Sequence, residues 1–296
     1  MFTPPKIERR SGTQSGPNIL FTGALHGNES CGTKALDKFL ELLDSGKITL
    51  TSGSVTAVPI TNVEAHRQKK RFVNEDWNRD WQQHENPQTD REHAQNFLNG
   101  LMREADVVAD IHSSIAKSVP FGVLAAKTEV CVRWALKLGF DHVLTDWIEA
   151  HVRSQKLSGK TDSYPMTMVH YAAEKLGKPA IAIEGGQHDD PVAIDFAFNS
   201  ILRTLLHNNM IMINDASLVP PAVSDNVKNY QCHRYTVRPP GEGWRFTKPW
   251  RHLQGLRRGE RIARNDAGKD RRAAKGRGRW QIVMPNHNTN VPEGYT

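Results

Sequence analysis

From about residue 18 to residue 212, short apolar runs alternate with stretches of helical periodicity, and that alternation leaves little choice of fold. Runs at 18–22, 54–60, 107–111, 121–126, 142–147 and 179–183 read as strands. Segments 30–45, 88–104, 127–138, 164–176 and 191–212 carry apolar residues at helical spacing. Strands interleaved with helices in this way predict an α/β fold, a mixed sheet with helices on both faces. After residue 213 the helical pattern fades, Pro and Gly become frequent, and 235–237 and 280–284 look like short strands. Two units are therefore expected, 1–212 as the larger α/β domain and 213–296 as a smaller, mostly β domain.

The apolar run at 18–22 ends in Gly23-Ala-Leu-His26-Gly27-Asn-Glu29. Gly23 and Gly27 let the chain turn sharply there, and the turn carries an imidazole and a carboxylate three residues apart. A His-x-x-Glu pair by itself is also what an ordinary surface loop carries. The run at 107–111, however, ends on His112, so two strand ends deliver ligand-type side chains to one edge of the sheet. His26, Glu29 and His112 make a nitrogen–oxygen set suited to one zinc ion per chain, with a fourth position open, at distances of roughly 2.0–2.2 Å.

Two further pieces fit a hydrolytic site. Arg71 lies eight residues before Arg79, which follows Asn78, in a polar, Trp-studded stretch too charged for core. Arginine suits a carboxylate because its planar fork makes two parallel charge-assisted bonds, and a second arginine can stabilise charge on a carbonyl oxygen. A loop of solvated ion pairs is the plainer reading of the same stretch. Glu184 ends the run at 179–183 and precedes Gly185-Gly186-Gln187-His188. A strand-terminal carboxylate beside two glycines is placed to act as a general base on a water that the metal acidifies. Trp77 and Trp81 are expected to pack around the loop. The histidines outside these motifs form no second ligand pattern, although His188, four residues after Glu184, is a candidate supporting residue.

Together the stretches Leu25-His26-Gly27-Asn28-Glu29, Arg71 with Asn78-Arg79, Asp110-Ile-His112-Ser-Ser and Ile183-Glu184-Gly-Gly-Gln-His188 resemble the succinylglutamate desuccinylase and aspartoacylase family, within the zinc carboxypeptidase-like hydrolases. The resemblance implies that His26, Glu29 and His112 ligate zinc. It implies that Glu184 activates water and then protonates the leaving amine, that Arg71 polarises the scissile carbonyl, and that Asn78 and Arg79 hold the α-carboxylate of an amino acid. A C-terminal tyrosine near the pocket corresponds loosely to Tyr295. The aspartoacylase branch carries an arginine and a tyrosine where this chain has Glu174 and His170, and a glutamate there would repel an acidic group.

The implied reaction is zinc-dependent hydrolysis of an N-acyl amino acid amide, with a small-molecule substrate. A metallocarboxypeptidase of short peptides is the alternative enzyme, and an inactive binding module using the basic C-terminal segment is an alternative of another class. Residues 245–280 hold thirteen Lys or Arg against three acids, whereas the whole chain is only +7. That excess reads first as a solvated surface that steers anions. Aromatics interleave with the arginines, but no nucleic-acid-binding motif accompanies them, so no nucleic-acid partner is expected. No apolar stretch approaches the ~20 residues of a membrane span, and residues 1–10 lack a signal-peptide core. Three scattered cysteines fit a reducing compartment, so a cytoplasmic protein is expected, and self-association is compatible with the composition.

Overall fold

The computed structural model describes residues 2–157, 165–188, 190–223, 227–233, 242–273 and 279–285. Tyr295, Tyr164 and the expected strand at 235–237 lie outside them.

The chain begins with β1 (Glu8–Ser11) and β2 (Gln14–Gly23), followed by α1 (Cys31–Asp44), β3 (Ile48–Leu50) and β4 (Ser52–Val58). A short α2 (Val63–Arg67) opens the polar stretch, with the Asn62 side chain capping it through Ala65 N. Next come α3 (Asp90–Glu104), β5 (Val107–Ser114), β6 (Phe121–Leu124), α4 (Glu129–Lys137) and β7 (His142–Thr145). Thr89 and Glu92 start α3 with a reciprocal capping box. Then follow α5 (Trp147–Leu157), α6 (Met168–Leu176), β8 (Ala180–Gln187) and α7 (Pro191–His207). The remainder holds β9 (Ile211–Ile213), β10 (Lys228–Gln231), β11 (Arg245–Phe246), β12 (Gln254–Leu256), β13 (Arg261–Arg264), β14 (Asp270–Arg272) and β15 (Trp280–Ile282).

Eight strands form one mixed sheet in the order β1-β4-β2-β5-β8-β6-β7-β10. Strands β4, β2, β5 and β8 run parallel, β6 runs antiparallel to β8, and β1 runs antiparallel to β4. The period of two along each strand sorts side chains between two cores. Ile19, Phe21, Ala109, Ile111, Ile181 and Ile183 pack under α1, α4 and α7. Leu20, Val108, Ala180, Ala182 and Phe121 pack under α3 and α6. The sheet is thus covered by helices on both faces, as the alternation required. Trp77 and Trp81 are buried in the second core, and the Trp81 indole N–H donates to Asn99 Oδ1 at 2.8 Å.

Several element bounds differ from the sequence reading. The last long helix stops at His207 rather than 212, because Asn209 takes a left-handed φ of 53° and releases Ile211–Ile213 to pair with β3. The run at 142–147 is cut at Asp146, whose φ is 60°, and α5 starts directly after it. Helix α6 begins at Met168, and β8 continues through both glycines to Gln187. Beyond residue 213, β10 joins the edge of the large sheet parallel to β7, while β11-β13-β14 and β12-β15 form small separate sheets. No described helix is long and apolar enough to cross a membrane.

Candidate active site

The turn after β2 is built by exclusion. A Cβ on Gly27 would lie 2.1 Å from Ala65 C and 2.2 Å from His66 N, so α2 packs its backbone directly on the turn. Gly27 N donates to Arg71 O at 3.0 Å, and the Gly27 carbonyl lies 2.9 Å from His66 Nδ1. Ala24 is held at a φ of 46°, and Glu29 N donates to His26 O at 3.0 Å. This turn projects His26 and Glu29 toward the end of β5, where His112 arrives.

The three side chains are all buried, and one ligand atom from each lies within 4.8 Å of the others. His26 Nδ1 and His112 Nδ1 each stand 2.9 Å from a Glu29 oxygen, Oε1 and Oε2 respectively. The outer nitrogens are tied to carboxylates: His26 Nε2 lies 3.2 Å from Asp76 Oδ1, and His112 Nε2 lies 2.6 Å from Asp110 Oδ2. Asp110 is fixed in turn by the Thr22 hydroxyl, which donates to Oδ1 at 2.6 Å from the facing position on β2. A proton drawn to Nε2 by a carboxylate leaves the Nδ1 lone pair turned inward. His26 Nδ1 is buried and has no aligned hydrogen-bond partner among the described residues, despite its nearness to Glu29. An orphaned imidazole nitrogen beside a second imidazole and a buried carboxylate fits a divalent cation of borderline softness such as zinc.

Burial opposes the charge on Glu29, but the imidazoles of His26 and His112 outweigh it and hold the carboxyl well below the usual range. Burial likewise opposes charge on His112, and Asp110 with Glu29 keeps its proton well above the ordinary imidazole value. The centre is therefore a point that draws positive charge.

Glu184 stands beside His112 across the β5–β8 ladder, so both side chains leave the same face of the sheet. Desolvation pushes its carboxyl up to about 7, with Glu29 adding to the effect and His112, His26 and Arg71 opposing it. A Cβ on Gly185 would fall 2.8 Å from Ala193 O and 3.3 Å from Cys31 Sγ, so only glycine lets α1 and α7 close against the strand here.

Arg71 reaches the same centre. Its Nη1 donates to Glu29 Oε1 at 3.0 Å, and its Nη2 lies 3.5 Å from Asp76 Oδ2. Asn78 is buried, with Oδ1 accepting from Met168 N at 2.8 Å, and Arg79 Nη1 donates to Asn78 O at 2.7 Å. Arg79 also approaches Asp76 Oδ2 at 4.0 Å. Burial opposes the charge on Asp76, yet Arg79, His26 and Arg71 together hold that carboxyl well below its ordinary value. Hence the structure gathers all seven residues singled out in the sequence around one centre.

Sequence reasoning passed over Asp76 and gave no role to Asp110. Asp110 was within reach, because it lies two residues before His112 and so shares its face of the strand. Asp76 carries no local signal, since only the fold brings the Arg-rich loop back to His26. Glu174 is exposed on α6 and makes no hydrogen bond or ion pair with a site residue among the described residues. His170 is buried, with Nδ1 2.7 Å from the Thr167 hydroxyl, and burial pushes its imidazole down to about 3.

Known structures of similar shape agree with this architecture. A product-bound ectoine utilization protein EutE (DoeB) from Ruegeria pomeroyi superposes with a TM-score of 0.69 at 19% identity, covering 94% of this chain and 82% of that one. Succinylglutamate desuccinylase from Vibrio parahaemolyticus gives 0.68 at 20% identity, covering 97% and 83%. A succinylglutamate desuccinylase/aspartoacylase from Rhodobacter sphaeroides gives 0.71 at 17% identity, covering 97% and 85%. At these identities the likeness is one of fold. No curated protein sequence matches the chain. Residues 15–212, which hold every motif assembled at the site, match the succinylglutamate desuccinylase/aspartoacylase catalytic domain, and the chain belongs to that family of hydrolases.

Proposed function

We propose that the protein is a zinc-dependent deacylase that hydrolyses the amide bond of an N-acyl amino acid, releasing a carboxylic acid and the free amino acid. The observation that carries this reading is the buried His26–Glu29–His112 cluster, with an orphaned nitrogen and both outer imidazole nitrogens held by carboxylates. When bound, the metal supplies Lewis acidity, polarising the scissile carbonyl and lowering the pKa of water.

The chain's own residues do the rest. Glu184, with its carboxyl near 7, takes a proton from the attacking water and passes it to the amide nitrogen as the C–N bond breaks and the C–O bond forms. Arg71, whose guanidinium lies against the metal ligand Glu29, is positioned to meet charge developing on the carbonyl oxygen. Asn78 and Arg79 hold the substrate α-carboxylate. Asp76 braces that clamp, because it accepts from Asn78 N at 2.9 Å and also faces His26 and both arginines.

The catalytic unit in this reading is 1–212, with 213–296 as a smaller β unit, and the substrate is a small anion. All three cysteines are free thiols, Cys31 and Cys131 buried and Cys232 half-buried, which supports a cytoplasmic location.

The test is to assay purified protein, with and without chelator, against N-acetyl, N-succinyl and N-formyl amino acids and against dipeptides. Metal-dependent release of free amino acid from acyl substrates is expected. Release of C-terminal residues from peptides without deacylation would instead identify a metallocarboxypeptidase, since the same carboxylate clamp serves both.

A further inference from the structure

Strand β8 does not end at Glu184. It pairs His112 with Glu184, slips its register opposite Ser113, and resumes with Ser114 against Gln187. Gly186, at a φ of 130°, takes up the slip. Past it, His188 N donates to Ser114 O at 2.9 Å, and the imidazole turns back over the site. His188 Nδ1 lies 2.9 Å from the Ser113 hydroxyl, and Nε2 lies 3.3 Å from Asn28 Nδ2.

These two partners belong to different parts of the centre. Asn28 sits between His26 and Glu29 on the turn after β2, while Ser113 follows His112 at the end of β5. The Ser113 backbone N–H donates to Glu29 Oε2 at 3.1 Å, and the Cys31 thiol donates to His112 O at 3.2 Å. A single side chain directly after the strand of Glu184 therefore spans both segments that carry the proposed ligands. If the Asn28 amide donates to Nε2, the ring proton rests on Nδ1 and is given to Ser113, so the imidazole serves as acceptor on one side and donor on the other.

Resting on the metal site proposed above, we infer that His188 is a positioning residue. It locks the turn of His26 and Glu29 to the strand end of His112, and fixes both relative to Glu184. Its contacts to Ser113 and Asn28 go to residues that flank the three proposed ligands, so its influence is expected to run through ligand geometry. The register slip has this consequence: without Gly185-Gly186 the ladder would run straight on and His188 would not return to Ser113. Phenylalanine in its place keeps the volume and loses both bonds. Glutamine keeps a donor and an acceptor on a more flexible stem.

The test uses the full chain as wild type, His188→Phe, His188→Gln and Ser113→Ala. It reads zinc affinity of metal-stripped protein by chelator competition, the visible spectrum of the cobalt-substituted form, and kcat and KM separately. His188→Phe is expected to weaken metal binding on the order of 10–100-fold, the range found when supporting partners of a metal site are removed. Its cobalt spectrum should shift and kcat should fall, with KM little changed. His188→Gln should recover part of the loss. Ser113→Ala, which deletes one hydroxyl, should move affinity in the same direction and carries the test if His188→Phe does not fold. Wild-type affinity and spectrum in both His188→Phe and Ser113→Ala would overturn the inference, as would a loss confined to KM. A wild-type protein that binds no zinc would overturn the metal reading itself, a result distinct from either.

Discussion

His26 and His112 present the same nitrogen, Nδ1, to one point because each has its Nε2 held by a carboxylate. That arrangement makes the two proposed ligands depend on residues outside the cluster. Replacing His112 by alanine leaves two ligands, a poor zinc site, so metal analysis of the purified variant should find far less than one ion per chain. Stoichiometric zinc in His112→Ala would remove it from the ligand set. Glu184→Gln keeps the shape of the side chain and lies outside the ligand set. It should retain zinc while kcat falls on the order of 10²–10⁴, the usual contribution of a general base. Turnover near wild type would show that the proton moves by another route. His112 and Glu184 were legible as candidates because each directly follows an apolar run, and His26 and Glu29 because they lie in the glycine-bounded turn after one. Asp76, Asn28 and Ser113 were not, because their roles are created by contacts between segments 50 to 160 residues apart.

At the scale of elements, the sheet was legible because short apolar runs and helical spacing survive in almost every segment of 18–212. Two of the misread bounds share one cause. Asp146 and Asn209 adopt left-handed backbone, which ends or redirects an element without any change in apolar pattern. Strand β10 escaped notice because a four-residue edge strand of Lys, Asn, Tyr and Gln carries no such pattern at all. The turn after β2 depends on helix α2 lying against Gly27. An alanine there must push a Cβ into backbone at 2.1 Å, and backbone cannot step aside as a flexible side chain can. Gly27→Ala is expected to lower stability by about 1–3 kcal/mol and to lower zinc affinity with it, since the displaced turn carries two of the proposed ligands. Denaturant titration of metal-stripped protein, alongside zinc binding, checks both. Unchanged values would mean that α2 is not rigidly seated.

For the whole molecule, the question is what holds the C-terminal segment to the sheet. Strand β10 pairs with β7, and the Arg153 guanidinium of α5 donates to Cys232 O at 2.7 Å and to His233 O at 3.1 Å. A third tie is His252, whose ring stacks on Phe121 with centroids 5.0 Å apart, and Phe121 faces Glu184 across β6 and β8. Met284 N donates to His252 Nδ1 at 3.1 Å, so that nitrogen is the acceptor and Nε2 carries the proton in a buried position, without a hydrogen-bond partner among the described residues. Protonating the ring would turn the acceptor into a second donor aimed at an N–H. Burial, with the nearby imidazole of His142, accordingly pushes His252 down to about 4. Released on unfolding, the same imidazole titrates near ~6.5. Between those values the unfolded chain binds the proton and the folded chain does not, so this contribution to stability is complete above about 6.5 and is lost as pH falls toward 4. The full effect is at most about 3 kcal/mol, and partial exposure of the ring reduces it. His252→Gln keeps an acceptor for Met284 N and does not titrate. Its melting temperature should fall less steeply than that of wild type between pH 7 and about pH 4.5, the gap amounting to several degrees. Melting curves of both proteins across that range decide the matter: parallel pH profiles would mean that His252 exchanges protons freely in the folded chain and does not fasten the C-terminal segment to Phe121.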